Sequence, residues 1–294
     1  MHFHGPIVRP PVDADSVFVE LTVGCTHSGC TFCNFYDGYP FRMAEWQDIE
    51  ADFKEAAHRW PGASKIWASG GNPFALSTEK LLRFADFARI YLPRAVIKTY
   101  ARVDDIVRKS PEELRQLRKA GYDDLVLGLE SGDDEILAFV QKGYSAKDIL
   151  EACWKLEEAG FSYRTIYLGG LAGHGNVKAS VEKTLSIFNQ IHPYFMFLTT
   201  VAILPGTKLY EQMQAGVFQE ETERDRIMEF RDLVKGLKHP LTVFAQSVTN
   251  MVSFTVDLPQ DRTQIVAELD RVIDSLSDER AIKMHQHRAR LRAV

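Results

Sequence analysis

The sequence predicts an α/β fold, a partial (β/α)6 TIM-like barrel followed by a C-terminal α+β extension. Short apolar runs bounded by turn residues alternate with segments of helical period from residue 17 to about residue 210. The first run, Val17 to Val23, is apolar enough for burial on both faces, as a parallel strand requires. Six such β-α units occupy about two hundred residues, close to the size of a barrel that holds its active site at the strand ends.

Six runs have the apolar character and the bounding turn residues of strands. They are Val17 to Val23, Lys65 to Ser69, Ala95 to Ala101, Asp124 to Leu129, Ser162 to Leu168 and Tyr194 to Leu204. The segments between them repeat apolar residues every three or four positions, as from Trp46 to Trp60, where Pro61 ends the helix. Ser110, Pro111 and Glu113 supply an N-cap, a first-turn proline and a capping box for another helix.

Three regions are expected along the chain: an N-terminal arm over 1–16, the barrel over 17–216 and the extension over 217–294. No linker rich in Pro, Gly or Ser precedes the extension, so we expect it to pack across the barrel. It contains a charged helix, two short β-like runs and a last helix. These are Glu220 to Lys238, Thr242 to Val248, Met251 to Val256, and Asp261 to the end. The basic residues near the C-terminus are interpreted as a solvated helix end; they are Arg280, Lys283, Arg288, Arg290 and Arg292.

Composition excludes several classes of protein. The chain has 294 residues, 45% of them hydrophobic and 26% charged, which is typical of a globular protein and not of a disordered or fibrous one. Its longest apolar run, Phe195 to Leu204, is too short to span a membrane, and its first residues lack the pattern of a signal peptide, so we expect a cytoplasmic protein. A net charge of −5 argues against nucleic acid as a partner and favours a small-molecule substrate.

Three of the four cysteines, Cys25, Cys30 and Cys33, lie close together directly after the first predicted strand. In a chain so poor in cysteine this spacing indicates a metal or cluster site, not a disulfide framework. Three thiolates would leave one iron of an iron-sulfur cluster without a protein ligand and open to a small molecule. Cys153, by contrast, lies on the apolar face of a predicted helix, which indicates a buried core thiol.

The cysteine loop and the strand ends together resemble the radical S-adenosylmethionine (SAM) superfamily, over roughly residues 8 to 256. The resemblance implies that Cys25, Cys30 and Cys33 bind a [4Fe-4S] cluster and that SAM is the second cofactor. Further positions resemble the family's SAM-binding residues. They are Phe32 between the last two cysteines, Gly70, Gly71 and Asn72 after the second strand, Glu130 and Ser131 after the fourth, and Gly169 and Leu204 in the fifth- and sixth-strand segments.

The resemblance also implies a role for each of these groups. Phe32 packs on the cluster and on the adenine side of SAM, and the backbone of the Gly-Gly-Asn turn receives the SAM amino group. Glu130 and Ser131 face the ribose and methionine ends. The segments Ile166 to Gly170 and Ala202 to Gly206 cradle adenine.

Two residues at the end of the third predicted strand, Tyr100 and Arg102, are further candidates. They could reach the SAM carboxylate or the substrate. The alternative is that Arg102 forms an ion pair with the nearby Asp104 or Asp105.

A narrower resemblance rests on Arg9-Pro-Pro, on the stretch Thr22 to Tyr36 and on Phe41-Arg42. Together these resemble a branch of the superfamily that is similar in motif order to oxygen-independent coproporphyrinogen dehydrogenases and to the Elongator catalytic subunit. The chain departs from the common pattern in one respect, because four residues, not three, separate Cys25 from Cys30. The longer loop bears on the geometry of ligation and leaves the number of ligands unchanged.

The function that the resemblance implies is reductive cleavage of SAM to methionine and a 5′-deoxyadenosyl radical, which abstracts hydrogen from a small-molecule substrate. An electron donor such as flavodoxin or ferredoxin is the implied partner, and no catalytic residue is assigned. Two alternatives stay open. One is a non-catalytic iron-sulfur sensor or scaffold, and the other is a zinc-binding barrel hydrolase. For the cysteine trio itself, the alternative is a structural zinc site with His27 as the fourth ligand.

Overall fold

The computed structural model describes residues 1–291 and divides into two compact units. The first unit comprises Met1–Ser28, Asn34–Gly128 and Glu151–Tyr163. The second comprises Gly29–Cys33, Leu129–Leu150 and the chain from Arg164 onward. Within residues 1–291, no helix is long and apolar enough to cross a membrane. The last three residues of the predicted extension, including Arg292, lie outside the described residues.

The strands follow the predicted order, with two short additions. They are β1 (Val17–Glu20), β2 (Thr22–Val23), β3 (Arg42–Met43), β4 (Lys65–Ser69), β5 (Val96–Ala101), β6 (Tyr122–Glu130), β7 (Tyr163–Gly169), β8 (Phe195–Thr200), β9 (Leu241–Ala245) and β10 (Phe254–Leu258). The additions are β2 and β3, which flank the cysteine loop.

The helices alternate with the strands up to β8 and then follow one another more closely. They are α1 (Trp46–Arg59), α2 (Thr78–Tyr91), α3 (Val103–Val107), α4 (Pro111–Lys119), α5 (Asp134–Phe139), α6 (Ala146–Glu158), α7 (Val177–Phe188), α8 (Lys208–Gln214), α9 (Glu223–Gly236), α10 (Arg262–Ser275) and α11 (Asp278–Ala289). Short 3-10 helices cover Pro11–Asp13 and Pro73–Ala75. The capping box predicted for α4 is present, because Ser110 and Glu113 each bond to the other's backbone N–H.

The first unit contains a parallel sheet in the order β1, β4, β5, β6. Val19 pairs with Ala68 and Ala68 pairs with Thr99, so the carboxyl ends of these strands reach the same edge. Trp67 is fully buried, as expected of a parallel strand covered on both faces. The loops that follow β1, β4 and β5 therefore start at that edge of the first unit.

The predicted strand boundaries differ from the observed ones everywhere except at Lys65 to Ser69, and two of the differences are informative. The prediction of one strand from Val17 to Val23 is wrong at its end, because Thr22 leaves the parallel sheet and pairs with Met43 of β3. The predicted strand from Tyr194 to Leu204 ends at Thr200, where the chain becomes irregular before α8. The apolar sequence continues beyond the end of each strand, so the pairing partners determine where the strand ends.

The second unit contains the parallel strands β7, β8 and β9, with β10 antiparallel to β9. Phe195 pairs with both Arg164 and Thr242, so the first β-like run of the predicted extension joins a parallel sheet. The prediction of one last helix is wrong. Ser277 starts a new helix, α11, by accepting a hydrogen bond from the backbone of Arg280.

The prediction of an α/β fold is confirmed, since parallel strands alternate with helices and the sheets are mostly parallel. The division into arm, barrel and extension stays a prediction. Cys153 is fully buried, and burial raises the pKa of its thiol, which confirms it as a core residue. The prediction of a solvated helix end is wrong for Arg288, which is buried and donates through both terminal nitrogens to Glu223.

Burial of the Glu221 carboxyl, just before α9, is unfavourable for folding. Glu221 is 3% exposed, and neither of its carboxylate oxygens has a hydrogen bond of normal geometry. Burial raises the pKa of this carboxyl, and the nearby charge of Glu229 raises it further. Ionisation of Glu221 therefore opposes folding.

We expect Glu221→Gln to stabilise the protein, by on the order of 1 kcal/mol at pH 8. In the unfolded chain Glu221 ionises near 4.5, whereas the folded protein holds the proton to higher pH, so native stability falls as pH rises above that value. Glutamine removes this loss. Urea unfolding at pH 5 and pH 8 measures the free energy of unfolding of both proteins. The gain from Glu221→Gln must be larger at pH 8.

Glu279→Gln is the matched control, because Glu279 is exposed on α11 and pairs only weakly with Lys283. It should show no gain that depends on pH. If Glu221→Gln and the native protein lose stability equally between pH 5 and pH 8, the interpretation of Glu221 is wrong.

Candidate functional site

The first-unit part of the cysteine loop lies against the end of β4. The backbone N–H of Gly71 donates to the carbonyl of Gly24 at 3.0 Å. A Cβ on Gly71 would lie 2.5 Å from that carbonyl oxygen and 2.8 Å from the Cβ of Cys25, so no other residue fits. The preceding Gly70 has a φ of +145°, and a Cβ there would lie 2.7 Å from the carbonyl oxygen of Thr22. The two predicted glycines thus lie directly beside Cys25.

Asn72 is fully buried, and the protein engages both ends of its side-chain amide. Its Oδ1 accepts from the backbone of Thr26 at 3.0 Å. Its Nδ2 donates to the hydroxyl of Thr26 at 2.6 Å and to Asp105 at 2.9 Å. Since Thr26 follows Cys25, Asn72 holds the longer loop in place. Its predicted role at the SAM amino group concerned the backbone of the turn and stays a prediction.

Arg102 and Arg108 both contact the acidic residues beside this network. Arg102 is 8% exposed, its Nε donates to Asp104 at 2.9 Å, and its backbone N–H donates to Asp105 at 3.2 Å. Burial raises the pKa of Asp105, although the hydrogen bond from Asn72 opposes the shift. Arg102 thus forms the ion pair that was offered as the alternative, and the predicted reach of Arg102 and Tyr100 to SAM or the substrate stays a prediction. Tyr100 packs edge-on against Trp67, with ring centroids 5.0 Å apart.

The second-unit part of the loop is the Cys30–Cys33 turn. Cys33 donates its backbone N–H to the carbonyl of Cys30 at 3.2 Å. Between them, Thr31 donates to the carbonyl of Val140 at 3.0 Å and accepts from the N–H of Leu209 at 2.8 Å. The turn is thereby fastened to the end of α5 and the start of α8.

Phe32, in the same turn, packs against an apolar cluster of the second unit. The cluster consists of Ile136, Val140, Leu171, Val201, Leu209 and Phe218. Phe32 is only half-buried, so part of its ring is available to a ligand.

Glu130 ends β6 in an uncommon backbone conformation, with a φ of +62°. Non-glycine residues rarely adopt this left-handed conformation, and strained residues of this kind cluster at functional sites. The carboxylate accepts a hydrogen bond from Nζ of Lys142 at 2.7 Å, and both side chains are less than a tenth exposed. Lys142 also lies 5.7 Å from the ring centres of Phe32 and Tyr144.

The charge of Lys142 is set by these neighbours. Burial alone would lower the pKa of its ammonium group. Burial is the largest single effect, but the attraction of Glu130, together with Tyr144 and Cys30, outweighs it, so the pKa is raised above its ordinary value. Lys142 is therefore a permanent buried cation next to the Cys30–Cys33 turn.

Ser131 supports the turn that follows Glu130. Its hydroxyl lies 3.3 Å from that of Thr184 on α7 and accepts from the backbone of Asp133 at 3.1 Å. Gly132 donates to the same threonine at 3.0 Å, and a Cβ there would lie 2.8 Å from the Cα of Thr184. The Ser131 hydroxyl is thus engaged within the protein, and its predicted contact with SAM stays a prediction.

Gly169 and Leu204 belong to the segments predicted to cradle adenine. The carbonyl of Gly169 accepts from the N–H of Val201 at 2.8 Å. A Cβ on Gly169 would lie 2.6 Å from Oε2 of Glu229 and 2.8 Å from a ring carbon of Phe230, so both side chains of α9 would have to shift for a larger residue. Leu204 is buried, and its carbonyl accepts from the hydroxyl of Thr207 at 2.8 Å. The part that either residue plays in binding adenine stays a prediction.

The donor set fits an iron-sulfur cluster. All four cysteines are thiols, and the three in the loop are half-buried whereas Cys153 is buried. Thiolates are the usual ligands of such clusters. Among residues 1–291, no three His, Cys, Asp or Glu side chains converge as the ligands of a single ion do. A [4Fe-4S] cluster does not require such convergence, because each thiolate binds a different iron atom.

Sequence reasoning missed Lys142, Thr184 and Glu229. Lys142 lies in a loop twelve residues after Glu130, and no local periodicity separates it from a surface lysine. Thr184 and Glu229 lie on helices whose apolar faces mask them. Of the three, only Lys142 could have been found from sequence, as a basic residue able to pair with the carboxylate of Glu130.

Comparison with known proteins gives one family match, to the Radical SAM superfamily over residues 19–187. Curated relatives that match parts of the chain include a heme chaperone and a tRNA acetyltransferase. The heme chaperone HemW from Bacillus subtilis is 26% identical over 163 residues, which are 53% of this chain and 41% of HemW. A tRNA uridine(34) acetyltransferase from Methanocaldococcus infernus is 28% identical over 124 residues, which are 40% of this chain and 22% of that protein.

The solved structure of coproporphyrinogen III oxidase (HemN) from Escherichia coli has a similar fold. It superimposes with a TM-score of 0.53 at 18% identity, over 75% of this chain and 51% of HemN. The chain thus spans about half or less of the length of each of these proteins. Because the family match extends over more than half of its length, the chain belongs to the radical SAM superfamily, whose enzymes use a [4Fe-4S] cluster and SAM.

Proposed function

We propose that the protein is a radical SAM enzyme that cleaves SAM reductively to methionine and a 5′-deoxyadenosyl radical, which abstracts hydrogen from a small-molecule substrate. The observation that carries the proposal is the buried ammonium of Lys142, paired with Glu130 and lying over Phe32 of the cysteine turn. A buried cation of this kind supplies the partner that the carboxylate end of SAM needs. A non-catalytic cluster scaffold needs no such group.

Cys25, Cys30 and Cys33 would hold the [4Fe-4S] cluster, which when bound supplies one electron and an iron open to SAM. The chain keeps each half of the loop in place with hydrogen bonds of its own unit. Asn72 holds the half that contains Cys25, through Thr26. The bonds of Thr31 to Val140 and Leu209 hold the half that contains Cys30 and Cys33. These bonds use no ligand atom, so the thiolates are left for the cluster.

Lys142 would bind the SAM carboxylate, and Glu130 would orient it. Glu130 keeps Nζ at 2.7 Å and compensates its charge, which makes a buried ammonium tolerable before SAM binds. Phe32 and the apolar cluster behind it exclude water from this side. A radical formed there would then meet its substrate in a dry environment.

The wider assignments belong to the same proposal. A net charge of −5 supports a small-molecule substrate, and a flavodoxin or ferredoxin would supply the electron. We also propose a cytoplasmic location and the division into an arm, a barrel and an extension at residues 17 and 217.

RNA is a second candidate substrate class. The observation that favours it is the relative that is a tRNA uridine(34) acetyltransferase, although the matched part covers 22% of that protein. Adding bulk tRNA to the SAM cleavage reaction tests it. A rise in 5′-deoxyadenosine that ribonuclease abolishes would support RNA over a small molecule.

Changing Cys25, Cys30 and Cys33 together to Ala should abolish dithionite-driven formation of 5′-deoxyadenosine from SAM under anaerobic conditions, because the cluster loses its ligands. Cys153→Ala is the matched control and should retain formation, since its thiol lies in the core. Liquid chromatography of the quenched reaction measures the product. A native protein with a full cluster and no product would contradict the proposed function.

Lys142→Met should weaken SAM binding about tenfold or more, because a buried charge-assisted bond to the SAM carboxylate is lost. Equilibrium dialysis with labelled SAM measures the dissociation constant. The single variant also leaves Glu130 buried without its partner, so Lys142→Met combined with Glu130→Gln removes both charges. The double variant should regain thermal stability and still bind SAM weakly. Native affinity in the double variant would exclude Lys142 from the SAM site.

A further inference from the structure

Helix α9 lies beyond residues 19–187, which carry the family match, yet it presents two buried charged side chains to the ends of β7 and β8. Glu229 is 1% exposed and Arg226 is fully buried. Burying either group is costly unless its bonds are satisfied, so their contacts indicate what the helix holds.

Glu229 holds the end of β7. Its Oε2 accepts from the backbone N–H of Gly170 at 2.8 Å, and its Oε1 accepts from the hydroxyl of Tyr167 at 2.6 Å. The approach is so close that a Cβ on Gly169 would lie 2.6 Å from Oε2. The glycine pair at this strand end is therefore the surface on which α9 packs.

Arg226 holds the neighbouring strand end. Its Nη1 lies 3.4 Å from the carbonyl of Val201, which follows β8, and 2.7 Å from where a Cβ on Gly170 would be. Gly170 also has a φ of +90°, a conformation that favours glycine. Val201 in turn donates its N–H to the carbonyl of Gly169 at 2.8 Å. One helix thus fastens both strand ends, which are also bonded to each other.

We propose that α9 is the positioning element of the adenine site, with Glu229 and Arg226 fixing the backbone of Gly169–Gly170 against Val201. This inference rests on the proposed function and on the expectation from sequence that the segments 166–170 and 202–206 cradle adenine. Glu229 touches neither SAM nor the cluster in this account; it acts through the N–H of Gly170. Adenine is bound through backbone groups at such a site, so an error in their position weakens SAM binding without changing the chemistry.

The surroundings of Glu229 explain why it can hold a fixed position. Tyr167 faces it from β7, Arg226 from its own helix, and Glu221 from the segment before that helix. Burial raises the pKa of Glu229, whereas the bonds from Tyr167 and Gly170 lower it. Arg226 is in turn paired with Glu220 at 2.6 Å. Each of these neighbours is itself buried or paired, so the carboxylate of Glu229 is held in one orientation.

The test uses the holoprotein and three variants. Glu229→Ala removes both acceptors, and Glu229→Gln keeps one acceptor oxygen as the conservative variant. Glu223→Gln is the matched control, because Glu223 is also a buried carboxylate of α9 but pairs with Arg288. If Glu229→Ala does not fold, Tyr167→Phe removes only the hydroxyl that fixes Oε1 of Glu229.

Two readouts separate positioning from a structural role. The first is amide hydrogen exchange of the peptide that contains Gly169 and Gly170, measured without SAM. The second is the kinetics of SAM cleavage, with KM and kcat determined separately. We expect Glu229→Ala to exchange faster at this peptide and to raise KM for SAM at least tenfold, with kcat within twofold. Glu229→Gln should lie between Glu229→Ala and the native protein, and Glu223→Gln should match the native protein.

Three results would overturn the inference, and they are distinguishable. If the native protein cleaves SAM and Glu229→Ala has the native KM, the positioning role is wrong and the proposed function stands. If Glu229→Ala fails to fold, a native KM in Tyr167→Phe leads to the same conclusion. If the native protein with a full cluster neither binds nor cleaves SAM, the proposed function fails and the inference fails with it. A fall in kcat of Glu229→Ala at unchanged KM would also contradict positioning.

Discussion

At three strand ends another element packs so closely that a Cβ on the glycine there would clash with it. At the end of β4 a Cβ on Gly71 would lie 2.5 Å from the carbonyl of Gly24, and after β6 a Cβ on Gly132 would lie 2.8 Å from the Cα of Thr184. At the end of β7, Gly169 meets Glu229 in the same way. These glycines let the cysteine loop, α7 and α9 reach the strand ends, and the placement of the candidate site residues within each unit depends on that access.

Buried charged groups of the second unit also have fixed partners. Lys142 and Glu130 form one pair beside the cysteine turn, and Glu229 uses its charge on the backbone of Gly170. Neither arrangement is an efficient way to gain stability, because burying charge costs nearly as much as the pairing returns. Their value lies in fixing geometry, which is the usual reason for retaining such groups at a functional site.

Local pattern was enough to predict the alternation of strands and helices, because apolar period and caps are local properties. The cysteine trio and the strand-end motifs were also visible in the sequence, and the family match agrees with them. Strand ends were harder to predict, since Thr22 leaves the sheet only because Met43 pairs with it. Lys142 and Glu229 were missed for a related reason: a charged residue is distinguished only by what it meets after folding, and neither lies near its partner in sequence.

The most direct test of the account is electron paramagnetic resonance of the dithionite-reduced holoprotein with and without SAM. Because three cysteines leave one iron open, SAM should bind that iron and shift the g values of the reduced cluster. Iron analysis should give one [4Fe-4S] cluster per chain. A reduced cluster whose spectrum does not change at saturating SAM, or a chain that holds zinc in place of iron, would contradict it.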